Sequence, residues 1–160
     1  MSIIDSSYFF YEFKIASLET TPVAERIQYY INVYEPEYME KLLGKSLYAA
    51  YKATPADARF TPLLAKLTAK PSPIAAYVFF EYQNGQSLQA TAGADAKIKV
   101  ENASVSINTY RRSDAWNLMV KLGWGIIQWL KNDAVNLDEF KACEVDCEIL
   151  TKTNPFGLLS

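Results

Sequence analysis

The sequence predicts a mainly α-helical fold, a bundle of about four to six helices, and three observations carry that expectation. Apolar residues recur at intervals of three and four through Ile27, Ile31, Tyr34, Tyr38 and Leu42, the signature of one buried helical stripe. A second such pattern runs through Trp116, Val120, Trp124 and Ile127, with Leu118, Leu122, Ile126 and Trp129 beside it. Thr21-Pro22, Thr61-Pro62 and Ser72-Pro73 each place a capping residue and a proline ahead of an apolar segment, where the missing proline N–H would have no helical partner anyway. With 160 residues, 50% of them hydrophobic, the chain suits a single domain around one core, residues 1–160.

The first twenty residues read as an N-terminal arm, with the aromatic-rich run Tyr8 to Ile15 extended. A helix is expected from about Pro22, with Pro36 kinking or dividing it and Gly44 in the position that follows a helix end. Leu47, Tyr48 and Tyr51 suggest a short helix ending before Thr54-Pro55, and Leu63 to Thr68 another. The segment from Ile74 to about Gln83, apolar nearly all round, predicts a central buried helix. Residues 84–110 change to Gly, Ala, Ser, Thr and Gln, and the alternating runs KIKVE and SVSIN predict an inserted loop with a β-hairpin over 93–108, turning near Asn102-Ala103. A helix from Ser113-Asp114 to about Asn132 follows, with Gly123 and Gly125 implying a close neighbour or a bend. A helical turn is expected near Leu137 to Ala142, and 143–160 reads as an extended C-terminal tail.

Composition narrows the chemistry. The chain has no histidine, so a Ser-His-Asp or Cys-His site, an HExxH site and a Cys/His finger are impossible within it. No Gly-rich phosphate-loop or dinucleotide motif occurs. The sequence therefore gives no catalytic residue, cofactor site or metal site. Net charge −2 lacks the basic excess that phosphate neutralisation needs, and the longest apolar run, Ile74 to Phe80, is too short to span a bilayer. The opening MSIIDSSYFFYEF lacks a basic start and a cleavage pattern, so synthesis in the cytoplasm is expected. Cys143 and Cys147, four apart, fit neither a CxxC redox pair nor a disulfide framework and read as reduced structural thiols. Glu35, Glu37 and Glu40 flank lysines on what reads as a solvated helix face. Asp138, Glu139, Glu144, Asp146 and Glu148 form an acidic cluster whose spacing matches no EF-hand loop. Tyr110-Arg111-Arg112 reads as positive charge on the approach to a helix, or as forks for a phosphate or carboxylate on another chain.

Taken together, the segments ERIQYYINVYEPEYMEKLLGKSLY, PIAAYVFFEY, YRRSDAWNLMV and NPFGL resemble a family of small proteins encoded by tailed phages and prophages of Bacteroidetes, thought to act at the head-tail junction. The likeness spans nearly the whole chain through three short marks: Glu35 to Gly44, Arg111 or Arg112 to Asn117, and Asn154 to Gly157. It implies a structural virion protein of the neck, made in the bacterial host cytoplasm and not an enzyme. Such a connector would be a homo-oligomeric ring of about a dozen subunits that bridges the portal protein to the tail or to a second adaptor, with no membrane and no specific nucleic-acid recognition. On that resemblance the intersubunit elements would be the arm (Tyr8, Phe9, Phe10, Tyr11 and Phe13), the hairpin (Lys97, Lys99, Val105 and Ile107), Tyr110, and the tail (Asn154, Pro155, Phe156, Leu158 and Leu159). Arg111 and Arg112 would serve as ion-pair anchors. The alternatives are a standalone helical module that takes a peptide or small apolar ligand in an aromatic groove and, further behind, a small enzyme using carboxylates and tyrosines.

Overall fold

The computed structural model describes residues 2–10, 13–92, 101–134 and 137–153, with only the backbone described for 87–92 and 101–110. Among these the chain is mainly helical, with four α-helices and no strand: α1 (Thr21–Ala53), α2 (Thr61–Thr68), α3 (Pro73–Ala92) and α4 (Glu101–Asn132).

The arm is not an outlying element. Ser6–Phe9 forms a 3-10 turn capped by Asp5, whose carboxylate accepts from the Ser7 N–H at 2.8 Å. Ile4, Phe9, Phe13, Ile15 and Leu18 are all buried in the core of the same chain. Phe9 is 0% exposed and Phe13 4%, which corrects the expectation of an arm reserved for a neighbour. Each ring removes a large apolar area from water wherever it docks, and its own core is the nearest place to do so.

In α1 the expected stripe is buried through Ile27, Ile31, Tyr38 and Leu42. Pro36 does not divide the helix. Pro36 and Asn32, the residue four before it, are both exposed, so the carbonyl left without a donor faces water. The interruption falls instead at Gly44, at φ 77° and ψ 161°, a region essentially restricted to glycine. The apolar pattern placed this stop correctly.

Phe60, Leu63 and Leu67 pack α2 and the turn before it into the core. Ser72 then starts α3 in the manner its position implies: its hydroxyl accepts from the Ala75 N–H at 3.3 Å and donates to the Leu67 carbonyl at 2.7 Å. Ile74 through Phe79 are buried without a break, so this is the central helix the sequence predicts. It does not stop at Gln83 but runs on to Ala92. Gly85 lies where α1 comes closest, because the Tyr30 hydroxyl occupies the space a Cβ would need.

Residues 101–108 are helical in α4, not the second strand of a hairpin, while 93–100 lie outside the described residues. The alternation in SVSIN is too short to specify a strand, and the helix that contains it is 32 residues long in all, so cooperative extension from a well-packed body wins. Tyr30, Tyr34, Tyr77 and Tyr82 interlock α1 with α3, the Tyr30 and Tyr34 rings stacking at 5.4 Å. Trp116 joins α4 to them, 4.7 Å from Phe80. Within α4, Gly123 lies under Tyr38, whose hydroxyl would stand 3.2 Å from an added Cβ, whereas Gly125 has nothing within 4 Å. Only the first glycine answers to a close neighbour. Trp124, expected on the buried face, is 43% exposed.

After α4 the chain returns across the bundle through 3-10 turns at Ala142–Glu144 and Glu148–Leu150. Cys143 and Cys147 are exposed and unpaired on this segment. Their exposure corrects the expectation of structural, buried thiols.

Candidate functional site

Three irregular segments are each fastened to the bundle by a polar side chain. The first is the arm. Glu35 is 5% exposed, and its carboxylate accepts from the Ile3 N–H at 2.8 and 3.0 Å and from the Ile4 N–H at 3.0 Å. This overturns the reading of Glu35 as part of a solvated face. Burial pushes its carboxyl above the usual carboxylate range, and the backbone N–H groups oppose that shift without cancelling it. Two orphan N–H groups of a chain end without regular structure are satisfied this way.

The second fastening bridges the break in α1. Because Gly44 interrupts the ladder, the Lys41 carbonyl and the Ser46 N–H lose their helical partners. Asp146 N–H donates to the Lys41 carbonyl at 2.9 Å. Glu144 accepts from the Ser46 N–H and from the Ser46 hydroxyl, both at 2.7 Å, and pairs with Lys141 at 3.2 Å. One short segment thus closes both ends of the gap, and a carboxylate sits where the dipole of the second half of α1 favours it. The Ser46 hydrogen bonds, with the Lys141 charge, hold the Glu144 carboxyl at about 2. An added Cβ on Gly44 would stand 2.6 Å from the Glu144 Cβ, so the glycine is required by contact as well as by conformation.

The third fastening holds the segment that returns across the bundle. The Trp116 indole N–H donates to the Thr151 carbonyl at 2.7 Å and that of Trp124 to the Leu150 carbonyl at 2.9 Å. Asn117 does both jobs at Thr153, donating to its carbonyl at 2.8 Å and accepting from its N–H at 2.9 Å. The side-chain amide copies the pattern of a neighbouring strand.

Other polar groups are engaged close to home. Tyr77 donates to Glu37 at 2.8 Å, and Lys41 reaches both, at 2.8 Å to Glu37 and 3.2 Å to the Tyr77 hydroxyl. Burial raises the Glu37 carboxyl, but the bonds from Lys41 and Tyr77 outweigh it and the net shift is downward. Burial raises Glu81, partly relieved by a bond from Asn84. Arg59 pairs with Glu139 at 2.7 Å. Among the described residues no group of three or more carboxylates and thiols is placed to hold a metal ion, and no helix is long and apolar enough to cross a membrane.

Between the arm, α1 and α2 lies an open cleft of about 560 Å³. Ile3, Met39, Tyr48, Tyr51 and Leu64 give it apolar walls, with Glu35 in one wall and Lys52 at the mouth, where its ammonium lies 4.7 Å over the Tyr48 ring. It is more spacious than the hollow beside Phe13 and Arg111 and than the one between Glu37 and Glu144.

The residues singled out in the sequence are not gathered at one place. Tyr8 is half-buried, its hydroxyl donating to the Thr68 carbonyl at 2.9 Å and its ring under Lys70. Phe10 alone of the described arm aromatics is exposed, at 49%, and Tyr11 lies outside the described residues. Arg111 donates to the Lys14 carbonyl at 2.8 Å and lies over Phe79, while Arg112 donates to Asn84 at 3.1 Å. Both guanidinium groups are thus bound within the chain. Val105, Ile107 and Tyr110 belong to the first turns of α4. Lys97, Lys99 and Asn154, Pro155, Phe156, Leu158 and Leu159 lie outside the described residues. What sequence reasoning missed is the trio Glu35, Glu144 and Asn117. Glu35 left a trace as a carboxylate interrupting the apolar stripe, one turn from Tyr38 and two from Leu42, whereas Glu144 and Asn117 were visible without any sign of their partners.

No protein-family model matches the chain, and neither curated proteins nor solved structures provide a match.

Proposed function

We propose that this protein is a structural assembly module, a connector of the head-tail kind its sequence resembles, which forms a homo-oligomeric ring between a portal protein and the tail. The observation that carries this reading is how the shielded carboxylates are used: Glu35, Glu37, Glu81 and Glu144 are each engaged by the chain's own N–H, hydroxyl, ammonium or amide groups. Such groups hold a framework together; a general acid or base must face a substrate. Tyr29 and Val33, one turn apart on α1 and 63% and 41% exposed, supply apolar surface for a neighbour, as do Phe10 and Trp124.

The 560 Å³ cleft favours a second reading, a module that takes a peptide or apolar ligand, since that volume falls in the range of ligand sites, about 300–1,000 Å³. Electron microscopy of the chain mixed with a portal protein of the phage family it resembles separates the two. Added density as a ring on the portal supports the connector. Portal particles that stay bare, with a monomer that binds a ligand saturably, support the module.

A further inference from the structure

The polar groups around the cleft between the arm, α1 and α2 differ in what they leave free. The acceptor is occupied: Glu35 is buried in the wall, and both of its oxygens accept from the Ile3 and Ile4 N–H groups. The donors are free. Lys52 is exposed at the mouth and, among the described residues, pairs with no carboxylate. Its ammonium rests 4.7 Å over the ring of Tyr48, one helical turn back, so the register of α1 keeps the charge at the opening. Tyr48 and Tyr51 also line the cleft. Burial raises both phenols, so each keeps its proton, and neither hydroxyl is hydrogen-bonded to a group among the described residues.

The free polar capacity is therefore that of donors, one ammonium and two phenols, set around apolar walls. The complementary occupant has an apolar body for Ile3, Met39 and Leu64 and one negatively charged group of acceptors for the mouth. A cation fits worse on two counts, because the carboxylate it would seek has its oxygens engaged and Lys52 repels it at the entrance. A neutral apolar molecule fills the same walls but gains nothing from Lys52. One ammonium balances one carboxylate, and a charge-assisted bond of this kind is among the stronger that a side chain makes.

We propose that the cleft binds an aliphatic monocarboxylate, its chain among Ile3, Met39 and Leu64 and its carboxylate at the mouth, accepting from Lys52. This rests on the ligand-module reading above and names the class of ligand that reading requires.

The probes are octanoate, octanol and octyltrimethylammonium at neutral pH, which share one tail and differ in the charge of the head. Methyl NMR of the full chain follows Ile3, Met39 and Leu64, with exposed Val33 on α1 and Leu118 in the hollow beside Arg111 as controls. Octanoate is expected to shift the three cleft methyls saturably and to leave the controls in place. Lys52→Met weakens it about threefold or more, the scale of an ion pair at an exposed position, and Lys52→Arg preserves it. Octanol binds with no regard to Lys52→Met, and octyltrimethylammonium binds more weakly than octanol. Lys52 is exposed, so neither substitution enters the core, and an unchanged circular dichroism spectrum verifies this. Saturable cleft shifts that ignore Lys52→Met for octanoate as for octanol, or that are tightest with octyltrimethylammonium, keep a ligand cleft and overturn the carboxylate. No saturable shift with any probe, or shifts centred on Leu118, overturns the cleft as a ligand site and the proposal with it.

Discussion

Substituting Gly44 by alanine isolates the clasp across α1. At φ 77° and ψ 161° any residue with a Cβ is strained, by about 1–3 kcal/mol. The added Cβ also stands 2.6 Å from the Glu144 Cβ, so the 141–146 segment must shift, and overpacking of that sort adds roughly 1–3 kcal/mol. Together these predict a loss of about 2–6 kcal/mol. For a chain of this length about 3 kcal/mol lowers Tm by roughly 6–12 °C, within the 5–15 kcal/mol that folded domains usually hold in reserve. Urea unfolding followed by circular dichroism gives the loss directly. Glu144→Gly removes the clashing atom, so the same Gly44→Ala change made on that background should be smaller by the overpacking share, leaving the conformational share. A loss under about 1 kcal/mol in the native sequence, or an equal loss on both backgrounds, refutes the clasp.

Gly125→Ala should stabilise more than Gly123→Ala. Both gain up to about 1 kcal/mol of helix propensity, but the first adds its Cβ in open space whereas the second sets it 3.2 Å from the Tyr38 hydroxyl and 3.4 Å from Leu42, which offsets the gain; thermal unfolding of the pair checks the order, and an equal gain at both positions contradicts it. Glu35→Gln keeps the shape but turns amide hydrogens toward the Ile3 or Ile4 N–H, a loss of about 1–3 kcal/mol, seen as faster proteolysis of the arm before global unfolding. Glu144 and Glu35 oppose each other in acid. The Glu144 carboxyl is depressed in the folded state, so its contribution is complete above the ordinary glutamate value of about 4.3 and disappears as pH falls toward about 2. The Glu35 carboxyl is raised, so its ionisation weakens the fold as pH rises above that ordinary value. Denaturant titrations across the acid range should therefore show Glu144→Gln removing part of the acid lability and Glu35→Gln leaving that part in place.

The starts of α1, α2 and α3 were legible from a proline in the first turn, although of the three expected caps only Ser72 accepts from the helix, Thr21 and Thr61 being the first residues of theirs, and Gly44 was legible because a helix end is a local event too. The start of α4 was not. Residues 101–110 have strand-like alternation and small polar side chains, and what makes them helical is continuity with the packed helix beyond Arg111. The fastenings were hidden for a different reason. Glu35 meets its partner 32 positions away and Glu144 meets Ser46 98 positions away, and nothing in the spacing of a carboxylate discloses which backbone it will cap. The same holds for Arg111 and Arg112: their charge was visible, but not that Lys14, Phe79 and Asn84 of the same chain would engage them.

The proposal that this chain assembles as a closed ring is tested most directly by native mass spectrometry of the chain, with and without a tailed-phage portal protein, over a range of concentrations. A series of species that stops at one closed number, alone or on the portal, is the predicted result. A single-subunit mass under every condition contradicts the account.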